Sequence, residues 1–371
     1  MKISVLTPNL SNNSLGRAWM LAKILQRHYE VEMIGPMFGS SIWEPVESEF
    51  SYISVKGRLF PQFIPEVYRM LRRIKGDVIY ASKPLFTSFD IGLMKKFFAR
   101  KPLVLDVDDW ELPMCFRYHG RKNILYPNSY WSTLLNERLT HMADAITVSN
   151  RFLQRRFGGT IIYHARDTEY LDPLKYDGMS LKEKFGVAGN KIVAFLGTPR
   201  PHKGLEDLIR AIVTLQDKQV ILMIMGLDKS RDAQNVRSMI EALLPKEQVL
   251  DLGIQPIHEL PKFLSLTDLV VIPQRKTPES IGQIPARVFD AMAMAKPIIA
   301  TRISDLPEIL DGCGWVVEPE NPRQLAQAIA KVFDNYEEAR SIGERARVKC
   351  ITQYSYDAVE KVLDRAFNRF Q

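Results

Sequence analysis

Cysteine is scarce in this chain, whose 371 residues contain only Cys115, Cys313 and Cys350. The three are far apart, odd in number and unaccompanied by Cys-x-x-Cys or by histidine pairs at metal-ligand spacing. A disulfide framework and a zinc motif are therefore excluded, and we expect a protein of the reducing cytoplasm with no metal site.

Long apolar runs are missing as well. No segment stays apolar for the roughly eighteen residues that a membrane-spanning helix needs, so we expect none. The N-terminal run MKISVLTPNL reaches Thr7, Pro8 and Asn9 after a few apolar residues. It predicts a first β-strand entering a loop rather than a signal peptide.

Net negative charge is absent from both halves, and the basic excess is confined to the first. Residues 1–170 contain 23 lysines and arginines against 16 acidic residues, whereas residues 171–371 contain 27 of each. Such an excess suits a nucleic acid, an anionic membrane or merely a solvated surface.

Two helical stretches of the basic half, residues 63–75 and 89–101, set apolar residues beside cations. In the first, one face of the helical wheel is apolar (Phe63, Ile64, Val67, Met70, Leu71, Ile74) and the other is basic (Arg69, Arg72, Arg73, Lys75). The simpler interpretation is an apolar face packed on the sheet; the alternative is a basic surface resting on anionic lipid.

Short apolar and β-branched runs alternate with helical patterns along the whole chain. The runs are 3–8, 31–36, 77–82, 102–107, 145–149 and 160–165, then 191–197, 220–226, 249–253, 269–274, 297–301 and 314–319. This alternation predicts two α/β domains with parallel sheets. We expect an N-terminal domain at 1–170, a C-terminal domain at 171–355, and a helix at 356–371 that packs back on the first domain. Ligands of such sheets bind where the strands end.

The strongest local motif is GTPRPHKGLEDLIRAI, residues 197–212. A strand ends at Gly197 and a helix begins near Gly204, with Arg200, His202 and Lys203 between them. A helix N-terminus beside two cations favours a diphosphate, although a solvated loop would have the same pattern.

A second motif, PESIGQIPARVFDAMAMAKPIIATRISDLPEIL at 278–310, makes the pattern specific. Together the two motifs resemble those of the retaining glycosyltransferases of family 4 over about residues 191–335. The resemblance implies a GT-B fold, in which two Rossmann-like domains face each other across a cleft. It also implies transfer of a sugar from a nucleoside diphosphate sugar, with no metal or other cofactor.

The resemblance assigns roles to residues of the first motif. Lys203 stands where the family has the lysine that neutralises the leaving diphosphate. The family's partner arginine directly follows the glycine, but that position is Thr198 here, so Arg200 is expected as a displaced substitute. Gly197 and Gly204 would let the donor approach the backbone.

The family also brackets the donor with two glutamates. Asp290 matches the second, which holds the ribose, with one methylene less. In the family seven residues separate the two glutamates, and counting back that distance from Asp290 reaches Gly282. The local match to Glu-Ser-x-Gly instead places the first carboxylate at Glu279. Either Glu279 reaches the sugar, or the backbone N–H groups of Ile281, Gly282 and Gln283 bind the donor.

The N-terminal half resembles the family less. In its first loop only Gly16 matches the family's glycine-rich donor loop. An acidic cluster stands at the end of the fourth predicted strand, with Asp106 in the strand and Asp108 and Asp109 just after it. Asp108 is our candidate for orienting or deprotonating an acceptor hydroxyl. Two carboxylates could instead bind Mg²⁺, and Asp108 or Asp109 could simply cap the next helix.

The sequence thus predicts a retaining glycosyltransferase of cell-surface glycan synthesis. Its partners would be a nucleotide-sugar donor and an acceptor that is a glycan, a lipid-linked molecule or a small molecule. We also expect it to contact the anionic inner face of the cell membrane and to bind no nucleic acid. The alternatives are a nucleotide-sugar epimerase of the same fold and a basic nucleic-acid-binding protein.

Overall fold

The structure of the protein, a computed structural model, describes residues 1–370, apart from the side chains of Tyr118 and His119. The chain divides into two compact units. The first contains Met1–Ala165, Gly282–Ile284 and the described part of Val359–Gln371; the second contains Arg166–Ile281 and Pro285–Ala358. The predicted segment 356–371 is thus described to Phe370.

The first unit is a seven-stranded parallel sheet flanked by helices. Its strands are β1 (Lys2–Leu6), β2 (Glu30–Met37), β3 (Tyr52–Lys56), β4 (Val78–Ser82), β5 (Leu103–Val107), β6 (Ala145–Val148) and β7 (Thr160–Ile161), in the order β3-β2-β1-β4-β5-β6-β7. Its helices are α1 (Leu15–Leu25), α2 (Ile64–Arg73), α3 (Ile91–Ala99), α4 (Glu111–His119), α5 (Tyr130–Leu139) and α6 (Arg151–Phe157).

The second unit is a six-stranded parallel sheet. Its strands are β8 (Lys191–Leu196), β9 (Val220–Met225), β10 (Val249–Asp251), β11 (Leu269–Ile272), β12 (Ile298–Thr301) and β13 (Trp315–Val317), in the order β10-β9-β8-β11-β12-β13. Its helices are α7 (Gly178–Lys184), α8 (Leu205–Leu215), α9 (Arg231–Leu243), α10 (Leu260–Ser265), α11 (Pro278–Ile281), α12 (Arg287–Ala293), α13 (Leu306–Ile309), α14 (Pro322–Asp334), α15 (Tyr336–Lys349) and the start of α16 (Tyr356–Phe367).

Both sheets reverse their strand order once, between β1 and β4 and between β8 and β11. Registers such as Leu6 with Ala81 and Ala194 with Val270 align the ends of these central strands. Ligands of doubly wound sheets bind beyond the strand ends at such reversals. The expected fold class, two Rossmann-like parallel-sheet domains, is confirmed.

Burial of both sheet faces explains the strands that the sequence predicts. β4 and β5 are buried at every position, as are β8 beyond Lys191 and β11 throughout. Two predictions were wrong at the edges of the first sheet. β3 was not predicted, because only Val55 of its five residues is buried. The strand predicted at 160–165 ends at Ile161, since it pairs with β6 at only two positions.

The C-terminal segment contributes to the first unit. Phe367 of α16 is fully buried, and its ring centroid lies 5.4 Å from that of Tyr80 on β4 and 6.3 Å from that of Tyr29. Among the described residues no helix is long and apolar enough to cross a membrane.

The two basic stretches only partly follow the helical-wheel expectation. On α2, Val67 and Met70 are buried, but Ile64, expected on the same apolar face, is 60% exposed. On α3, Phe97 and Phe98 are also exposed. Packing on the sheet therefore accounts for only part of the apolar surface of these helices.

Candidate functional site

The loop between β8 and α8 places Lys203 over the end of β8. Gly197 adopts φ +115°, which favours glycine, and its N–H donates to the carbonyl oxygen of Met225 at 2.7 Å. A Cβ at position 197 would lie 3.6 Å from Nζ of Lys203. A side chain there would occupy the space beside the ammonium group, so Gly197 leaves that space open.

Gly204 begins α8 and allows two loops to cross closely. Its φ is +67°, and a Cβ at this position would overlap the carbonyl oxygen of Pro273. Pro273 is the residue directly after β11. The first turn of α8 therefore starts where β8 and β11 both end. The free N–H groups of such a turn attract anions.

The acidic residues in the first turn of α8 would oppose an anion, but they are paired. Arg275 binds Asp207 through Nε at 2.6 Å and Nη2 at 2.9 Å, and lies 3.5 Å from Glu206. The hydrogen bond to Asp207 raises the pKa of Arg275, so its guanidinium stays charged. The helix start therefore keeps its positive end largely uncompensated by carboxylates.

Arg200, the predicted second cation, contacts the loop after β9. Its Nη1 donates to Ser230 Oγ at 3.1 Å, and its Nη2 lies 3.5 Å from Asp228. Burial opposes ionisation of Asp228, but the hydrogen bonds of Ser230 and the Arg200 charge outweigh it and lower the pKa of that carboxyl. A diphosphate would therefore have to compete with Asp228 for Arg200.

Gln274 is a residue that the sequence interpretation missed. It follows β11, is 1% exposed, and among the described residues neither its amide nitrogen nor its amide oxygen has a hydrogen-bond partner. Burying such a group unpaired costs about 1–3 kcal/mol, so it is a candidate for a ligand contact. The signal was available, because a polar side chain within two residues of the end of a buried strand is also what selected Asp108.

Glu279 lies on the short helix α11 and is 6% exposed. The N–H of Ile281 donates to the carbonyl oxygen of Thr277 at 3.0 Å, and its own carbonyl oxygen accepts from Ser304 Oγ at 3.0 Å. A donor bound by the Ile281 N–H would therefore replace an existing hydrogen bond. The donor contacts predicted for Glu279 and Ile281 stay predictions.

Gly282 and Gln283 belong to the first unit and contact the residues after β5. The carbonyl oxygen of Gly282 accepts from the N–H of Trp110 at 3.1 Å, and Gln283 Nε2 donates to Asp109 at 2.8 Å. A Cβ on Gly282 would overlap Trp110. These bonds use the carbonyl oxygen of Gly282 and the side-chain amide of Gln283. The predicted donor contacts would instead use the backbone N–H groups of the two residues.

Asp290 is buried in an ion-pair network of the second unit. Arg166 donates to its Oδ1, and Arg287 donates to its Oδ2 at 2.9 Å. Burial opposes ionisation, but the charges of Arg166 and Arg287 outweigh it and lower the pKa of Asp290. Both carboxylate oxygens thus already have partners, which the predicted ribose contact would have to share.

After β4 and β5, one buried ammonium binds three carboxylates. Nζ of Lys83 lies 2.8 Å from Asp108, 2.6 Å from Asp109 and 2.5 Å from Glu111. Lys83 has φ +68°, an uncommon conformation for a residue with a side chain. The sequence interpretation missed Lys83, although it follows a buried strand just as the aspartates do.

The capping alternative for the aspartates was wrong. α4 begins at Glu111 and its N-cap residue is Trp110, with no side-chain cap. One carboxylate oxygen of each of Asp108, Asp109 and Glu111 lies within 4.8 Å of the others, so the three could hold a cation. Lys83 supplies a positive charge at that place.

The carboxyls of this cluster differ in acidity. Burial raises the pKa of Asp108 to about 6 and that of Glu111 to about 7, against the opposing charge of Lys83. For Asp109 burial is outweighed by Lys83 and Gln283, and its pKa is lowered. Of the three carboxyls, Glu111 is therefore the most readily protonated near neutral pH.

We expect the stability of the protein to fall as pH rises from about 5 to about 8, by about 1–3 kcal/mol from Glu111 alone. The folded chain retains the Glu111 proton up to a pKa of about 7, whereas the unfolded chain loses it near 4.5, so the folded state binds more protons in between. Glu111→Gln keeps this position neutral and should flatten the decline. Urea unfolding across this pH range measures it; an equal slope in the variant would refute the assignment.

Gly16, the remaining predicted residue, is the second residue of α1, where a Cβ would approach the Trp43 ring to 3.2 Å. Its neighbour Arg17 is buried and binds Asp106 through Nε at 2.7 Å and Nη2 at 2.9 Å. Asp106 is therefore occupied by Arg17, and Asp108 rather than Asp106 remains the acceptor-side candidate.

Comparison with known proteins identifies related sequences over the second unit. Residues 180–349 match the family model of glycosyl transferases group 1. The chain is 30% identical over 186 residues to a D-inositol 3-phosphate glycosyltransferase of Corynebacterium glutamicum, covering 48% of this chain and 43% of the relative. It is 26% identical over 191 residues to an N-acetyl-alpha-D-glucosaminyl L-malate synthase of Bacillus anthracis, covering 50% and 47%.

The chain spans about half the length of these two curated relatives. Solved structures resemble it over its whole length. HepE of Anabaena, solved in complex with UDP-glucose, has a TM-score of 0.80 at 19% identity and covers 100% of both chains. Sucrose-phosphate synthase of Thermosynechococcus elongatus has a TM-score of 0.74 at 13% identity, covering 100% of this chain and 98% of the other. These neighbours have the GT-B fold.

Proposed function

We propose that this protein is a metal-independent, retaining glycosyltransferase of family 4 that uses a nucleoside diphosphate sugar. The observation that carries the proposal is the position of Lys203 beside Gly197 and the first turn of α8. There an ammonium group and free backbone N–H groups would meet the negative charge that develops on a leaving diphosphate.

In the proposed reaction the bond between the anomeric carbon and the diphosphate breaks, and a bond to the acceptor oxygen forms on the same face of the sugar. The acceptor proton passes to a β-phosphate oxygen of the departing nucleotide, so no protein nucleophile is required. Lys203, with Arg200 if it is released from Asp228, would stabilise the diphosphate. Asp108 would orient the acceptor hydroxyl.

The comparisons support the donor class. HepE, a fold neighbour, is solved with UDP and with UDP-glucose, and the curated relatives named above carry glycosyltransferase and synthase names. An epimerase is not favoured by these relatives. A basic nucleic-acid-binding protein is disfavoured because the best cationic motif lies at a helix start suited to a diphosphate.

The test is a screen of nucleotide sugars by thermal stabilisation and by release of nucleoside diphosphate, with and without EDTA. One sugar nucleotide should stabilise the protein and be consumed equally with EDTA present, since the proposal needs no metal. An isomerised sugar nucleotide formed without acceptor would identify an epimerase instead. Loss of turnover in EDTA that Mg²⁺ restores would remove metal independence.

We place the reaction in the cytoplasm, with a hydroxyl of a glycan, a lipid-linked or a small molecule as acceptor, in cell-surface glycan synthesis. The Lys83 cluster after β4 and β5 is the best acceptor-side candidate in the first unit, because its carboxylates can accept hydrogen bonds from hydroxyl groups. Incubation with labelled sugar nucleotide and membrane or soluble extracts would identify the acceptor by mass spectrometry.

Gln274 offers a further test of the donor site. Gln274→Met removes the buried amide at similar volume, so stability of the free protein should stay equal or rise by up to about 2 kcal/mol. If the amide binds the donor, nucleotide affinity should fall about tenfold in titration calorimetry. Unchanged affinity together with reduced stability would show that the amide serves the fold and not the donor.

A further inference from the structure

The first unit exposes apolar side chains on α2, at the start of α5 and on the segments that precede these two helices. They are Leu59, Ile64, Tyr68, Ile124, Leu125 and Trp131, and their exposed fractions run from 48% to 64%. Apolar side chains of this size usually lie mostly inside a protein, and an exposed group of them marks an interaction site.

These side chains belong to adjoining segments. The N–H of Phe60 donates to the carbonyl oxygen of Leu125 at 2.8 Å, and Trp131 Nε1 donates to the carbonyl oxygen of Arg121 at 3.2 Å. Ile64 and Tyr68 lie one helical turn apart on α2. One backbone hydrogen bond and one side-chain hydrogen bond therefore join the segments that carry them.

Cations surround the same side chains. The guanidinium of Arg72 lies 5.8 Å from the Tyr68 ring centroid, and that of Arg121 lies 5.3 Å from the Tyr130 ring centroid. We name the whole surface the basic apolar face. It consists of the six apolar residues above together with Arg58, Arg69, Arg72, Arg73, Arg121 and Lys122, all of them exposed.

Acidic residues are almost missing from the segments that form this face. Residues 57–75 contain five lysines and arginines and one acidic residue, Glu66, which is 3% exposed and accepts from Arg69 at 2.6 Å. Residues 112–136 contain three basic residues and no acidic one. The partner that complements this face is therefore anionic.

We propose that the basic apolar face binds an anionic lipid bilayer surface. Arginines and lysines would pair with lipid phosphates, while isoleucine, leucine and the aromatic rings would enter the boundary between headgroups and acyl chains. This inference concerns another surface than the donor site and does not depend on the proposed reaction.

Two other partners fit the face less well. A second copy of the chain would bring like charges together. A single-stranded nucleic acid would use aromatic rings that stack on bases, but Leu59, Ile64, Ile124 and Leu125 are aliphatic and offer no such contact. The combination of aliphatic tips and cations is typical of a lipid surface.

The test is sedimentation of the full chain with phosphatidylcholine vesicles, with and without about one third phosphatidylglycerol. We expect binding to the anionic vesicles at about 0.05 M salt and a loss of about tenfold or more at about 0.5 M salt or without phosphatidylglycerol. Absence of binding to anionic vesicles at low salt, or binding equal at all salt concentrations, would overturn the proposal.

Two variants separate the charge from the apolar contribution. Arg72→Gln/Arg73→Gln and Ile124→Ser/Leu125→Ser should each lower vesicle binding by about tenfold. The matched control is Leu174→Ser/Lys246→Gln in the second unit, where Leu174 is 92% exposed, and it should bind vesicles like the unchanged protein.

Thermal melting shows whether each variant folds, and stabilisation by UDP reports the donor site separately. Loss of binding in the control as well, or unchanged binding in both face variants, would contradict the assignment. Tight salt-dependent binding to single-stranded RNA or DNA with none to vesicles would do so too and would favour a nucleic acid. Failure of UDP to stabilise the protein while vesicles still bind would count against the proposed reaction alone.

Discussion

Replacement of Lys203 by alanine is expected to lower turnover of the nucleotide sugar by about 10²–10³-fold, the effect of removing one preorganised charge from a developing anion. Lys203 precedes Gly204, and its Nζ lies near the end of β8, where a departing diphosphate would carry the new negative charge. Most of the loss should fall on kcat, because the charge develops in the transition state.

The fold should survive this change, since Lys203 is only half-buried and its backbone N–H keeps its bond to the carbonyl oxygen of Arg200 at 2.8 Å. Lys203→Arg should recover part of the activity, because it restores the charge. Lys246→Ala, on an exposed turn of the same unit, is the control and should turn over normally. Ordinary activity in Lys203→Ala would remove this residue from the mechanism.

Asp290→Ala is expected to lower the free energy of unfolding by about 3–5 kcal/mol, the usual cost of breaking a buried ion pair. The substitution removes the buried carboxylate to which Arg166 donates, and the Arg166 side chain is only 14% exposed. Arg287 loses its partner on the other oxygen. Urea unfolding of the pure variant measures the loss.

A second variant separates the ion pair from the predicted ribose contact. Arg166→Met/Asp290→Leu replaces both charges by apolar groups and should recover much of the stability. If Asp290 also holds the ribose, nucleotide affinity should stay low in this variant despite its recovered stability. Affinity equal to that of the unchanged protein would show that Asp290 acts only within the fold.

The two parallel sheets could be predicted because their strands are buried on both faces and therefore appear as short, continuously apolar runs. β3 escaped prediction, because it lies at the sheet edge and only Val55 of its five residues is buried. α15 also escaped, since its sequence YEEARSIGERARVK is mostly charged and only three of its residues are buried. Edges and charged helices depend on tertiary contacts that local patterns do not record.

The site shows the same limit. Gly197, Lys203 and Gly204 are neighbours in sequence, and the loop that the pattern predicted is the loop that forms. Lys83 and Glu111 lie 28 positions apart and meet only because β4 and β5 pair. The partners of Asp290 and the buried amide of Gln274 likewise depend on packing of distant segments, which spacing along the chain does not reveal.

A crystal structure with UDP bound tests the central claim most directly. The account predicts the diphosphate within about 3 Å of Lys203 Nζ and of the N–H groups in the first turn of α8. A diphosphate held instead by Arg17 or Lys83 of the first unit, with Lys203 making no contact to it, would contradict the account.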